Sequence, residues 1–98
     1  MMHVNTETTD TGYVFRLIDG RERGSQKLDR SGDKWVAHSH KIDEPGRGQA
    51  LLFRALIRKC RELGVKELYF SEYEEVGLHE YWKKRGAKAV ATTYRMEI

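Results

Sequence analysis

At 98 residues, the chain is long enough for one domain, residues 1–98, with a single modest core. Charged residues make up 34% of it, the net charge is +3 and the mean hydropathy is −0.73, which is typical of a water-exposed domain. No apolar run approaches the roughly 18–20 residues of a membrane span, and residues 1–6 lack the basic and apolar regions of a secretion signal. Because the single Cys60 cannot form an internal disulfide, we expect a cytoplasmic protein.

The first half of the chain has the pattern of antiparallel strands. Residues 1–11 lack periodicity, so we expect a loose arm or at most a short edge strand there. Residues 13–18 are rich in β-branched and aromatic side chains, and the Asp19-Gly20 pair after them is typical of a tight hairpin turn. The sequence then predicts a return strand over 21–28, a turn over 30–33 and a third strand over 34–42.

A helix with one apolar stripe is predicted over residues 51–63. Gly64 would end it, since glycine adopts the left-handed conformation that closes a helix. Four residues at helical spacing form the stripe: Leu52, Leu56, Cys60 and Leu63. We therefore interpret the cysteine as a core residue and not as a nucleophile.

The rest of the chain alternates strand, helix and strand. A fourth strand is predicted within 65–73, a second helix over 75–85 that ends at Gly86, and a last strand over 87–98. The predicted fold class is α+β. It comprises a mixed, mainly antiparallel sheet of about five strands and two helices, in the order β-β-β-α-β-α-β.

The segment Pro45-Gly46-Arg47-Gly48-Gln49-Ala50 separates the third strand from the first helix. Glycines let a backbone turn tightly and bring its N–H groups close to a ligand. The start of a helix adds unpaired N–H groups and the positive end of the helix dipole. The segment therefore predicts an anion-binding corner, of the kind that phosphate occupies elsewhere.

Two other glycine-rich designs do not fit this corner. A dinucleotide-binding fingerprint needs a third glycine for close helix packing, and the residues after Gly48 do not supply it. A P-loop needs Gly-Lys followed by Ser or Thr at the start of its helix, and the chain has no such sequence.

Three short motifs succeed one another after Trp35. The first, Gly48-Gln49-Ala50 next to Arg47, opens the first helix. The second ends that helix and starts a strand, and it reads Leu63-Gly64-Val65-Lys66-Glu67-Leu68-Tyr69-Phe70. The third belongs to the second helix and its end, and it reads Tyr81-Trp82-Lys83-Lys84-Arg85-Gly86-Ala87. In order and spacing they resemble the GNAT superfamily, the acetyl-CoA-dependent N-acetyltransferases, in a trimmed form of the phage type. The resemblance implies the family's α/β/α-like fold and transfer of an acetyl group to an amine.

The resemblance also implies where acetyl-CoA would bind. Backbone N–H groups of the corner would hold the pyrophosphate, and Arg47 would add charge beside it. The backbone of the third strand near His40 and Ile42 would pair with the pantetheine arm, and one N–H there would polarise the thioester carbonyl. The implied cofactor residues are His40, Ile42, Gly46, Arg47, Gly48, Gln49 and Ala50.

Acetyl transfer to an amine also needs proton transfer. A general base takes a proton from the amine, and a general acid can protonate the departing thiolate. Our catalytic candidates are Glu75, His40 and Tyr81, with Glu72 and His38 as further candidate bases. His38 and His40 lie two apart on one strand, a spacing that metal sites use, but no third ligand lies near them in sequence and we expect no metal.

The chain departs from the family pattern at two informative positions. Pro45 stands where the family has Arg or Gln, and proline has no N–H to donate. Trp82 stands where the family often has a tyrosine that acts as the general acid. These departures leave a second hypothesis open, a catalytically degenerate GNAT-fold binding or virion-associated protein without turnover.

The expected partners are acetyl-CoA and an amine acceptor. A second copy of the chain could extend the sheet at the C-terminal strand to form a homodimer. Residues 51–98 carry ten basic against seven acidic residues, but glutamates such as Glu62 and Glu80 interrupt the basic clusters. We therefore expect neither nucleic acid nor a membrane as partner.

Overall fold

The structure is a computed structural model, and it describes residues 1–42, 46–71, 84–86, 88–90 and 93–98. Within these residues the chain forms one helix and seven strands. In chain order they are β1 (His3–Thr8), β2 (Gly12–Asp19), β3 (Arg21–Ser31), β4 (Lys34–Ile42), α1 (Arg47–Leu63), β5 (Glu67–Ser71), β6 (Lys88–Val90) and β7 (Thr93–Glu97).

The described strands form a single sheet in the spatial order β1-β2-β3-β4-β5-β7-β6. Strands β1 to β4 follow one another as antiparallel neighbours, and β5 pairs with β7 and β7 with β6 in the same sense. The exception is β4 with β5, which pair in parallel, since α1 carries the chain back across the sheet between them. The predicted mixed, mainly antiparallel α+β fold is confirmed.

The core lies between α1 and one face of the sheet. Leu52, Leu56 and Cys60 of α1 are each at most 1% exposed, as their four-residue spacing predicts, whereas Leu63, the fourth residue of the predicted stripe, is 40% exposed at the helix end. The sheet residues buried opposite them come from β2 to β5: Phe15, Leu17, Leu28, Ala37, Leu68 and Phe70. Each alternates along its strand with residues of the opposite face, which carries Arg16, Lys27, Asp29 and His38.

The predicted helix end is confirmed, and the predicted helix start is wrong. Gly64 has a φ of 73° and its N–H donates to the carbonyl of Arg61 at 3.2 Å, which closes α1. The helix begins at Arg47 and not at Leu51, since Gly46 already serves as its N-cap. A glycine in a first turn costs little, so Gly48 does not delay the helix.

Residues 1–11 supply an edge strand, β1, the second of the two predicted possibilities for this segment. The predicted single strand over 87–98 is wrong, because its described residues form the antiparallel pair β6 and β7. These two differences raise the strand number from about five to seven. The predicted second helix lies outside the described residues up to position 83, and Lys84 is helical.

The burial of Cys60 predicts that its thiol reacts slowly in the folded protein. Its side chain is fully buried, and burial raises the pKa of the thiol from about 9 to about 11, because the charged thiolate is poorly solvated in the core. The unfolded chain lacks this shift, so raising the pH from 9 towards 11 should lower the stability of the folded state.

We expect iodoacetamide at pH 8.5 to leave native Cys60 unmodified and to alkylate it fully in urea, as followed by mass spectrometry. Alkylation of the native protein at the rate of a free thiol would contradict the buried position.

Candidate functional site

The corner between β4 and α1 is built on the conformation of Gly46. This residue has φ 84° and ψ −102°, a region that residues with a Cβ rarely adopt. A Cβ added to Gly46 would meet nothing within 4 Å. Glycine is therefore needed here for its backbone angles and not for space.

The first turn of α1 presents backbone donors without a side-chain cap. The N–H groups of Arg47, Gly48 and Gln49 lie in this turn, where an α-helix provides no internal acceptor. In the described part of the chain no side chain caps this turn, and the turn contains no acidic residue, so the positive end of the helix dipole has no countercharge in the turn itself. Such a turn is suited to an anion.

Ala50 does not contribute a donor to this turn. Its N–H donates to the carbonyl of Gly46 at 2.9 Å and forms the first hydrogen bond of the helix. The predicted set of backbone donors, Arg47 to Ala50, is therefore one residue too long. The shift follows from the early start of α1, which the sequence pattern did not indicate.

Gln49 adds a polar side chain to the same turn. The residue is 8% exposed, and among the described residues its buried Nε2 has no hydrogen-bond partner. A buried amide nitrogen that donates to nothing costs free energy, about 1–3 kcal/mol. Arg47 is exposed, and Gly48 is buried beneath the turn.

Strand β4 extends beyond its parallel partner. Its pairing with β5 runs from Trp35 opposite Leu68 to His38 opposite Ser71, whereas β4 itself continues to Ile42. Within the described part of the chain, the backbone of 39–42 therefore has no strand on its β5 side. This edge precedes the corner along the chain.

A β-bulge marks this free segment of β4. On the β3 side, Ser39 is opposite Gln26 and Ile42 is opposite Gly24, so β4 has one residue more than β3 between these pairs. Bulges redirect backbone groups and are frequent next to active sites. The extra residue falls at 40–41, where the backbone was predicted to contact the cofactor.

The described residues bring some predicted site residues together and leave others out. The backbones of His40 and Ile42 lie in the bulged segment of β4, next along the chain to the corner. Glu72, Glu75 and Tyr81 lie outside the described residues, and so does Pro45. Their predicted roles therefore stay predictions.

His38 lies on the sheet face away from α1. Its neighbour Ala37 is buried in the core beneath the helix, so strand alternation directs His38 to the other face. There its Nε2 lies 3.7 Å from Oδ2 of Asp29, whose Oδ1 accepts a hydrogen bond from the Thr11 hydroxyl. No group of three potential metal ligands exists within the described ranges.

The sequence interpretation missed a groove on the outer surface of α1. It has a volume of about 660 Å³ and is bordered by three exposed arginines of the helix, Arg54, Arg58 and Arg61, and by Arg85. Phe53 and Ile57 form its apolar floor. The three helix arginines are four and three residues apart, and this spacing places side chains on one face of a helix. The sequence therefore contained a signal for this arginine face.

None of the described helices is both long and apolar enough to span a membrane.

Comparison with known proteins identifies the fold but not the family. No protein-family model matches the chain, and no curated protein is significantly similar to it in sequence. Among solved structures, a GNAT-family protein from Desulfovibrio desulfuricans superposes with a TM-score of 0.65 at 15% identity, over 87% of this chain and 67% of its own.

Two further structures are similar. The PaiA N-acetyltransferase of Thermoplasma acidophilum, in complex with coenzyme A, has a TM-score of 0.62 at 16% identity and is matched over 86% of this chain. Elp3 of the archaeon Methanocaldococcus infernus has a TM-score of 0.69 at 15% identity over 99% of this chain. The chain spans only 58% and 30% of these two proteins. The chain therefore has a GNAT-like fold.

Proposed function

We propose that this protein is an acetyl-CoA-dependent N-acetyltransferase. The observation that carries the proposal is the first turn of α1, which within the described residues has neither a side-chain cap nor an acidic residue and follows the bulged end of β4 along the chain. The GNAT-like fold and the coenzyme A bound to one similar protein support the same assignment.

The residues of the corner fit the phosphates of acetyl-CoA. The N–H groups of Arg47, Gly48 and Gln49 would donate to the pyrophosphate, and the Arg47 guanidinium would add a positive charge. The unpaired Nε2 of Gln49 is a further donor that a bound anion would satisfy. No acidic side chain within this first turn opposes the ligand charge.

The free edge of β4 fits the pantetheine arm. Amide groups of the arm would pair with the backbone at His40 and Ile42, in the manner of an added strand. In the proposal, a backbone N–H of this bulged segment would donate to the thioester carbonyl and stabilise the oxyanion of the transition state.

In the proposed reaction the amine nitrogen attacks the thioester carbon and forms a C–N bond while the C–S bond breaks. The amine loses one proton, and the thiolate of coenzyme A gains one. The proposed proton carriers are His40, Glu75 and Tyr81. The acceptor is a primary amine of a small molecule or a protein.

Calorimetry with acetyl-CoA, followed by a turnover assay over a panel of primary amines, tests the proposal. We expect saturable binding with a dissociation constant below about 1 mM, in the range of ordinary cofactor affinities. A thiol reagent can report released coenzyme A without interference, because Cys60 is buried. Absence of binding at millimolar acetyl-CoA would refute the proposal, and binding without turnover would favour the degenerate binding protein.

A matched pair of glycine variants tests the corner. Gly46→Ala and Gly20→Ala both introduce a Cβ at a positive φ, 84° and 76°, with open space around it. We expect each to lower the free energy of unfolding by about 1–3 kcal/mol. Only Gly46→Ala should also weaken acetyl-CoA binding, by about tenfold, because Gly20 lies in the β2–β3 turn.

Thermal unfolding and calorimetry of both variants give the two quantities. Equal acetyl-CoA affinities in the two variants would place the cofactor elsewhere.

The Gln49→Leu variant tests whether the Gln49 side chain binds acetyl-CoA or only packs in the protein. Leucine keeps nearly the volume of glutamine and removes the unpaired amide, so the unfolding temperature should stay unchanged or rise by a few degrees. Acetyl-CoA affinity should fall by about three- to tenfold if the amide donates to the cofactor. A variant with unchanged affinity would show that Gln49 is only a packing residue.

A further inference from the structure

One face of α1 packs on the sheet, and the other carries a stripe of arginines. Arg47, Arg54, Arg58 and Arg61 are seven, four and three residues apart, which places them within about 60° of one another around the helix axis. All four are exposed. We call this row, from Arg47 to Arg61, the arginine stripe.

The stripe holds unusually concentrated positive charge. Helix α1 contains five basic residues and one acidic residue, so the helix alone carries more positive charge than the +3 of the whole chain. The four arginines of the stripe make no ion pair with the acidic side chains of the described residues. Their combined field is therefore not cancelled locally.

The acidic residue that interrupts this cluster in sequence is neutralised in the structure. Glu62 lies at the edge of the groove, and its Oε2 is 2.9 Å from Nζ of Lys59, one turn earlier in the helix. Lys59 itself extends towards β2, where its Nζ lies 5.0 Å from the centre of the Tyr13 ring. The glutamate therefore leaves the charge of the arginine stripe intact.

An apolar floor runs beside the stripe. Phe53 and Ile57 are half-buried in the 660 Å³ groove. The Phe53 ring is stacked on the buried Phe70 at 6.4 Å, and the guanidinium of Arg85 lies 5.6 Å from its centre. The floor is thus fixed to the core.

We propose that this groove binds single-stranded nucleic acid. Guanidinium groups suit phosphates because their planar fork can donate two parallel hydrogen bonds. Arg54, Arg58 and Arg61 cover about 10 Å of helix, so their long side chains can reach about two or three successive phosphates of one strand. A single strand also exposes apolar base faces, which can pack on the half-buried Ile57, whereas a duplex buries them.

The groove begins beside the corner, because Ala50 lines it, and it extends along the helix to Arg61. Arg58 and Arg61 lie nine and twelve residues after Gln49, about 13 and 18 Å along the helix. The inference concerns a second ligand and does not depend on the proposed acetyl transfer. The chemistry of the groove does not distinguish RNA from DNA, so the experiment includes both.

Fluorescence anisotropy with labelled oligo-U and oligo-dT of about 12 nucleotides tests the proposal. We expect saturable binding at about 50 mM salt with micromolar affinity, and a slope of log K against log salt near −2, as for about three phosphate contacts. Saturating acetyl-CoA should not displace the oligonucleotide. Displacement by acetyl-CoA, or no binding at this salt, would overturn the proposal.

A pair of charge-matched variants locates the site. Arg58→Gln/Arg61→Gln and Lys27→Gln/Lys34→Gln each remove two positive charges, the second pair from the sheet face away from α1. We expect the arginine variant to lose about tenfold in oligonucleotide affinity and to flatten the salt slope by about 1.4, and the lysine variant to stay within about twofold of the wild type.

Two outcomes would contradict the groove as a nucleic-acid site. Equal losses in the two double variants would indicate attraction by net charge alone. Equally tight binding of a polyglutamate of matched charge would indicate an acidic protein partner. Thermal unfolding checks that both variants fold. Their acetyl-CoA affinities are measured separately, so that a failure of this proposal can be distinguished from a failure of the proposed function.

Discussion

Burial of the apolar stripe of α1 against the sheet is the interaction on which the other features depend. Leu52, Leu56 and Cys60 pack on side chains from β2 to β5, so the helix cannot rotate or slide without exposing them. This packing fixes the start of the helix just after the end of β4. The first turn of α1 therefore follows the free edge of β4 along the chain, and the packing of the core holds both elements in place.

The same packing decides what the outer surface of α1 presents. A helix of 17 residues that buries one stripe must expose the opposite one. In this chain the exposed stripe is arginine-rich, and its N-terminal end is an uncapped turn. One helix thereby supplies two positively polarised regions, a small one made of backbone dipoles at the corner and a longer one made of side chains along the groove. The first suits a compact anion and the second an extended polyanion.

Much of the fold was predictable, because its elements are encoded locally. Strands β2 and β4 follow from β-branched and aromatic runs, β3 follows from the turns at Gly20 and Gly32 on either side of it, and the helix end follows from Gly64. The start of α1 was misplaced since Gly46 and Gly48 suggest a loop equally well, and only the backbone angles of Gly46 distinguish a cap from a loop. The split of the last strand into β6 and β7 was missed because both parts have strand-like composition.

The sequence by itself predicts the type of chemistry at the corner, because two glycines, a basic residue and a following amphipathic helix favour an anion site through local backbone geometry. It could not determine which donors are free, since the hydrogen bond from Ala50 to Gly46 depends on where the helix begins. Nor could it reveal the bulge in β4, which is defined only by pairing with β3. The arginine groove needed the tertiary structure most, because Glu62 interrupts the basic cluster in sequence, whereas in space Lys59 neutralises it and Arg85 completes the rim.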